Sequence, residues 1–164
     1  MVRPDLNLHI HQIPYNNDNK LSFHIDEYTI HALYLPPALD LATCTDWLDC
    51  LTIDDRTIIL GDLNARLRRL GDHSTNICGT SVIEPWLTGR GLHVWNGTLA
   101  RGQPTFRNHR GTSLIDWFMS METAIMDLWM KIFDELSLNS DHHVCTLEFT
   151  LCVAFRPPLA PNAT

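Results

Sequence analysis

Residues Thr57-Ile58-Ile59-Leu60-Gly61-Asp62-Leu63-Asn64-Ala65 decide the fold. A short β-branched apolar run without polar alternation reads as a strand buried on both faces. A sheet carrying such a strand needs a layer on each side. The run stops at Gly61, and an acid and an amide follow at once. Gly, Asp and Asn all favour turns, so these residues taken alone are a turn leaving a strand. Here the turn also delivers Asp62 and Asn64 to the end of a central strand.

Working outward towards the N-terminus, Leu6–Ile13 reads as a strand and Pro14–Lys20 as a turn. Leu21–Ile25 and Tyr28–Leu35 read as a hairpin with Asp26-Glu27 at its tip, stopped by Pro36-Pro37. Ala38–Leu51 places Leu41, Cys44, Leu48 and Leu51 at helical spacing, with Trp47 on the same face. Towards the C-terminus, Ser81 and Glu84 form a capping box, and Gly89 is the matching helix stop. Leu92–Trp95 and Leu114–Met119 read as strands, and Leu128–Phe133 as either helix or strand. Cys145, Leu147, Phe149 and Leu151 alternate with Val144, Thr146, Glu148 and Thr150, the clearest period-two pattern in the chain. The sum is a strand-rich α+β domain over 1–154, followed by a Pro-rich tail over 155–164.

The 164 residues fit one domain that can hold a core without disulfide or metal. Hydrophobic residues at 45% exclude disorder along the whole chain. With 12 basic and 19 acidic residues the formal charge is -7, which excludes a strongly basic nucleic-acid coat. An enzyme acting on nucleic acid would need local positive patches or metal ions. Five cysteines, none in CxxC spacing, favour reduced thiols over a disulfide scaffold. No apolar segment follows the N-terminus or is long enough to cross a bilayer by helix, so no membrane partner is expected. These features place the chain in the nucleus or cytoplasm and not among secreted proteins. The sequons at Asn96 and Asn162 then read as chance matches.

Polar residues gather at the ends of the apolar runs. Tyr34 closes the hairpin, Asp62 and Asn64 follow the central strand, Asp116 lies in Ser113-Leu114-Ile115-Asp116-Trp117, and Asp141-His142-His143 precedes the alternating strand. Oxygen ligands suit a hard divalent cation, and His, Asn and Tyr donors suit phosphate oxygens. Each has a plainer reading: a turn, a carboxylate paired with an arginine such as Arg110, a loop or helix cap, a core aromatic. The ordered set is the stronger signal.

Tyr34-Leu35-Pro36-Pro37, Gly61-Asp62-Leu63-Asn64-Ala65, Pro104-Thr105-Phe106, Ser113-Leu114-Ile115-Asp116-Trp117 and Ser140-Asp141-His142 together resemble the endonuclease/exonuclease/phosphatase superfamily, in the flavour of non-LTR retrotransposon endonuclease domains. The similarity runs from about Tyr28 to Phe149, with Leu63 where the family has Phe. It implies a two-sheet β-sandwich with flanking helices and Mg²⁺-assisted (or Mn²⁺-assisted) hydrolysis of DNA phosphodiesters. Asp62 would orient and deprotonate water, and Asn64 would bond the phosphate. His142 would contact the scissile phosphate, Asp116 would orient His142, and Tyr34 would lie near the phosphate. The implied metal set is Asp62, Asn64, Asp141 and His142.

The resemblance also implies an Asn and a metal-binding Glu upstream of the Tyr-Pro strand. Only 33 residues precede Tyr34, and Glu27, their single glutamate, sits at a hairpin tip. The expectation is therefore an N-terminally truncated fold with one incomplete sheet, covered by a preceding segment or a partner chain. Two alternatives follow: a catalytically impaired remnant, or a phosphoesterase of the same fold with a substrate other than nucleic acid.

Arg66, Arg68 and Arg69 follow the Asp62 loop, and Arg101, Arg107 and Arg110 surround Pro104-Thr105-Phe106. Arg66, Arg107 and Arg110 are the candidates for gripping DNA phosphates; a solvated surface with acid partners is the plainer reading. His9-Ile10-His11 and His142-His143-x-Cys145 lack a second half with zinc-ligand spacing. Trp86, Trp95, Trp117 and Trp129 are expected in the core.

Overall fold

Successive residues of the central strand face opposite layers, and the architecture follows from that. The computed structural model describes residues 10–14, 19–135 and 139–151. Strand β1 (Ile10–Gln12) pairs with β2 (Lys20–Ile25), and β2 turns into β3 (Tyr28–Tyr34). Helix α1 (Leu41–Asp49) crosses back to β4 (Thr57–Asp62), which runs parallel to β3. Helices α2 (Glu84–Arg90) and α3 (Asn96–Leu99) flank the short strand β5 (His93–Val94). Then follow the hairpin β6 (Phe106–Asn108) and β7 (Gly111–Ser113), β8 (Asp116–Ser120), β9 (Ile125–Phe133) and β10 (Val144–Leu151). Six strands form one mixed sheet in the order β1-β2-β3-β4-β8-β5; β9 and β10 form a second sheet, and β6 and β7 a third.

The alternation on β4 sorts the core. Ile59 joins Leu33, Trp117 and Met119 against the helices, where Cys44, Leu48, Ile83 and Leu87 complete the cluster. Ile58 joins Tyr28, Ile30, Ala124 and Ile125 on the other face, under Leu128, Leu147 and Phe149 of the second sheet. Both faces of β4 are covered, as its unbroken apolar run requires. The fold is thus an α+β sandwich of two sheets with helices outside the larger one.

Helix α1 begins where Asp40 accepts the Thr43 amide at 2.9 Å, a carboxylate N-cap. The second helical segment departs from the capping-box expectation. It starts near Asn76, whose side chain accepts the Gly79 amide at 2.9 Å and whose carbonyl accepts the Thr80 amide at 3.0 Å. Ser81 falls inside a π-helical turn, Gly79–Ile83, and Glu84 instead pairs with Arg69 at 2.7 Å. The stop is Gly91, in left-handed conformation at φ 63°, and not Gly89.

The segment Leu128–Phe133 resolves as strand. A positive φ of 52° at Asp127 accompanies a bulge between β9 and β10, after which Trp129 pairs with Glu148 on the polar side of β10. Trp129 is therefore 52% exposed and not a core residue, whereas Trp117 is fully buried. Residues 6–9 of the first expected strand, and the Pro-rich tail, lie outside the described residues.

Candidate active site

Three strands deliver the site in one row. The register pairs Tyr34 with Asp62 and Asp62 with Asp116, so all three share one edge and the face turned towards β9 and β10. The local sequence explains the arrangement. Gly61 has φ 137° and packs against the β3 backbone. Leu63 is fully buried and donates its amide to the Ile115 carbonyl at 3.0 Å. Asn64, at φ 47°, adopts the left-handed conformation that Asn tolerates better than most residues. Between a buried anchor and a turn residue, Asp62 is held at the rim.

Asp116 and His142 form the charged pair at the centre of the site. The His142 Nδ1 donates to the Asp116 carboxylate, 3.0 Å from Oδ2 and 3.1 Å from Oδ1. That leaves Nε2 facing Asp62, whose Oδ2 is 3.9 Å away. Phe106 bridges to His142 through the backbone and meets its ring edge-on, with centroids 5.0 Å apart. Asp116 thus pairs with a histidine, and not with an arginine.

Asp62 accepts the Asn64 amide at 2.9 Å and the Asn64 side-chain Nδ2 at 3.1 Å; the same Nδ2 donates to the Leu35 carbonyl at 2.9 Å. Burial pushes the Asp62 carboxyl above its ordinary range, and the Asp116 charge pushes the same way. The Asn64 hydrogen bonds and His142 oppose that shift. Asp62, Asp116 and His142 each offer one atom, all within 4.8 Å of one another. A bound cation would relieve both causes of the Asp62 shift, so the donor set fits a hard divalent ion.

Four residues that sequence reasoning did not name as site residues, three buried and Asn76 half-buried, hold this row in place. The Thr105 hydroxyl accepts the amides of Ile115 (3.1 Å) and Asp116 (3.0 Å) from full burial. Asn96, also fully buried, donates to the Asp116 carbonyl at 3.1 Å and accepts the Phe118 amide at 2.8 Å. Asp72 accepts the Leu114 amide at 2.8 Å. Asn76 donates to the Asn64 carbonyl at 2.7 Å and accepts the Arg66 amide at 3.0 Å. Asn96 belongs to the first sequon, so its amide is structural. Pro104-Thr105-Phe106 was the available cue for Thr105. Asn76 and Asp72 lie in a loop with no comparable signal.

A cleft of about 600 Å³ opens over the row. Tyr34, Asp62, Asn64 and His142 line it, together with Arg66 and with Arg110 of the β6–β7 hairpin. Tyr34 is 43% exposed there. Two expected residues stand elsewhere. Arg107 is exposed on β6 between Phe106 and Asn108, which both line the cleft, so alternation turns it away. Asp141 is exposed; its carbonyl accepts the Arg107 amide at 2.8 Å, and its carboxylate is outside the Asp62–Asp116–His142 group. Glu27 lies at the hairpin tip, ion-paired with Arg56.

A family model described as endonuclease-reverse transcriptase matches residues 28–146, most of the chain. The chain belongs to the endonuclease/exonuclease/phosphatase superfamily. Its match spans the Tyr34, Asp62, Asp116 and His142 segments. The fold resembles the endonuclease domain of TRAS1, a telomere-specific non-LTR retrotransposon, with TM-score 0.74 and 22% identity over 90% of this chain and 69% of that one. It also resembles an AP endonuclease from Archaeoglobus fulgidus (TM-score 0.65, 15% identity, 88% and 71% covered). A 3'-5' exonuclease from Neisseria meningitidis is similar as well (TM-score 0.60, 16% identity, 87% and 70% covered). No curated protein sequence matches the chain at significant similarity. Among the described residues no helix is long and apolar enough to cross a membrane.

Proposed function

We propose that the chain is a divalent-metal-dependent phosphodiesterase acting on DNA as an endonuclease of the retrotransposon type. The single observation that carries this reading is the Asp116–His142 pair held beside Asp62, with Asp62 and His142 lining a cleft that Arg66 and Arg110 also line. Asp116 fixes the His142 tautomer with the proton on Nδ1 and aims Nε2 into the cleft. Asp62, 3.9 Å from the His142 Nε2 and oriented by Asn64, is placed to take a proton from an attacking water. Asn64 orients that carboxylate through its Nδ2. Tyr34 offers a phenol, and Arg66 and Arg110 a guanidinium each, to phosphate oxygens.

Asp62 and His142 of the Asp62–Asp116–His142 group would hold Mg²⁺ or Mn²⁺, with the Asn64 side chain beside them. The ion supplies Lewis-acid stabilisation of charge on the phosphoryl and leaving oxygens. Asp141 serves this reading only through an outer role, since it stands outside the group. A nuclear or cytoplasmic setting agrees with four free thiols among the described residues.

A second reading keeps the fold and weakens the chemistry. Glu27 is committed to Arg56 at the tip of the β2–β3 hairpin, so it offers the site no carboxylate. A remnant with a poor metal site, or a chain completed by a further segment or partner, would follow. Nicking of supercoiled plasmid in Mg²⁺ decides between these, run beside EDTA and His142→Ala. Metal-dependent nicking lost in the variant supports the nuclease. Folded protein that does not nick supports the remnant.

A further inference from the structure

Cys44 and Cys78 come from separate elements, and neither belongs to the Asp62–Asp116–His142 group. Cys44 is buried on α1, and Cys78 opens the π-helical turn. Their sulfurs lie 3.8 Å apart, although 34 positions separate them in sequence. We propose that Cys44 and Cys78 are an oxidisable dithiol, whose disulfide clamps the loop that carries Asn64.

The chemistry favours Cys78 as the attacking thiol. The two sulfurs share a hydrogen bond that either can donate; with Cys44 as donor the Cys78 thiol comes down to about 7 and that of Cys44 goes up. Cys78 is half-buried where Cys44 is buried, and both line an open cleft of about 180 Å³ beside Pro37, Asn64 and Arg66, from whose mouth the sulfurs of a disulfide can approach Cys78. With glutathione disulfide as oxidant, the Cys78 thiolate attacks one sulfur and forms a mixed disulfide, and one glutathione thiolate leaves and takes up the proton that Cys78 had released. Cys44 then attacks the Cys78 sulfur and forms the internal bond. The second glutathione leaves and takes up the Cys44 proton. Two protein thiols are oxidised and one glutathione disulfide is reduced to two thiols.

The consequence for the site runs through Asn76, two residues before Cys78. Its side chain holds the Asn64 carbonyl, the Arg66 amide and the Gly79 amide at once. Tying Cys78 to α1 fixes that knot from outside. The inference does not depend on the nuclease reading, because the thiol pair and the knot stand whatever the cleft binds.

The test oxidises the full chain with glutathione disulfide, maps disulfides by peptide mass, and follows amide exchange and melting. The expected result is a Cys44–Cys78 peptide pair, reversed by dithiothreitol. Exchange at Arg66, Gly79 and Thr80 slows about tenfold or more, and the melting temperature rises by about 5 °C. Cys78→Ser and, separately, Cys44→Ala lose both effects. A different pairing, or both thiols still alkylated after treatment, overturns the dithiol. A mapped Cys44–Cys78 bond with unchanged exchange at Arg66 overturns the clamp.

Discussion

A β-carbon on Gly61 would lie 1.9 Å from the carbonyl oxygen of Leu33, its register partner on β3. Backbone atoms form the obstacle, and φ at Gly61 is 137°. No side-chain adjustment relieves the overlap. Gly61→Ala should therefore cost about 3 kcal/mol or more, read as a fall in the urea midpoint with unchanged slope. A variant as stable as the parent would mean that β3 and β4 are not this close.

Asp62 is a carboxylate that the fold holds at a cost when ionised, first through burial and then through Asp116. Because its folded value lies above the unfolded one, its contribution to stability is full at acid pH and is lost as pH rises through the folded value. Asp62→Asn should thus come closest to the parent at pH 3, below the unfolded carboxyl value, and melt higher than the parent at pH 7. Adding Mg²⁺ should narrow the gap at pH 7, because only the parent gains from the ion. Melting curves at the two pH values, with and without Mg²⁺, check this. An Asn variant less stable at pH 7 would contradict it.

Thr105 satisfies two buried amides with one hydroxyl. Thr105→Val keeps the shape and removes the acceptor, leaving both amides unpaired, at about 2–4 kcal/mol. Thr105→Ser retains the oxygen and should cost less than half as much. The two unfolding curves measured side by side separate hydrogen bonding from packing.

If the cleft is a nuclease site, Asp116 acts through His142 and is a positioning residue. Asp116→Asn should lower plasmid nicking by about 10²-fold, while leaving DNA affinity within a factor of about two. Combining it with His142→Ala should add little further loss, since the two act as one unit. Fully multiplicative losses would show that Asp116 works independently.

The arginines make a sharper distinction. Arg66 and Arg110 line the cleft, and Arg107 faces away. Replacing either of the first two by Ala should weaken DNA binding and reduce the salt dependence of the affinity by about one phosphate contact. Arg107→Ala should change neither. Fluorescence anisotropy across a salt series reads both quantities.

Much of this was legible before any coordinates. The apolar run before Gly61 predicts a strand covered on both faces, and β4 has a core cluster on each side. The Asp26-Glu27 hairpin tip and the β10 alternation are as expected, because each rests on local chemistry. The sequence also paired Asp116 with His142 through resemblance. It misplaced the start of the helix before Trp86, because the capping residue is Asn76, outside the Ser-x-x-Glu pattern. It put Trp129 in the core because a bulge at Asp127 cannot be read from periodicity. Arg107 and Arg110 looked equivalent in sequence. Only the pleat of β6 tells which one meets the cleft.

The flush ends of β3, β4 and β8 divide the molecule into two poles. Tyr34, Asp62 and Asp116 stand at one. At the other lie the Asp26-Glu27 turn, the loop before Thr57 and the Met121–Thr123 turn. Chain added at those distal turns lengthens the molecule away from the cleft and leaves the register of the row untouched. A fluorophore, an affinity handle or a fused module belongs there, and one residue inserted within β4 would turn Asp62 into the helical layer.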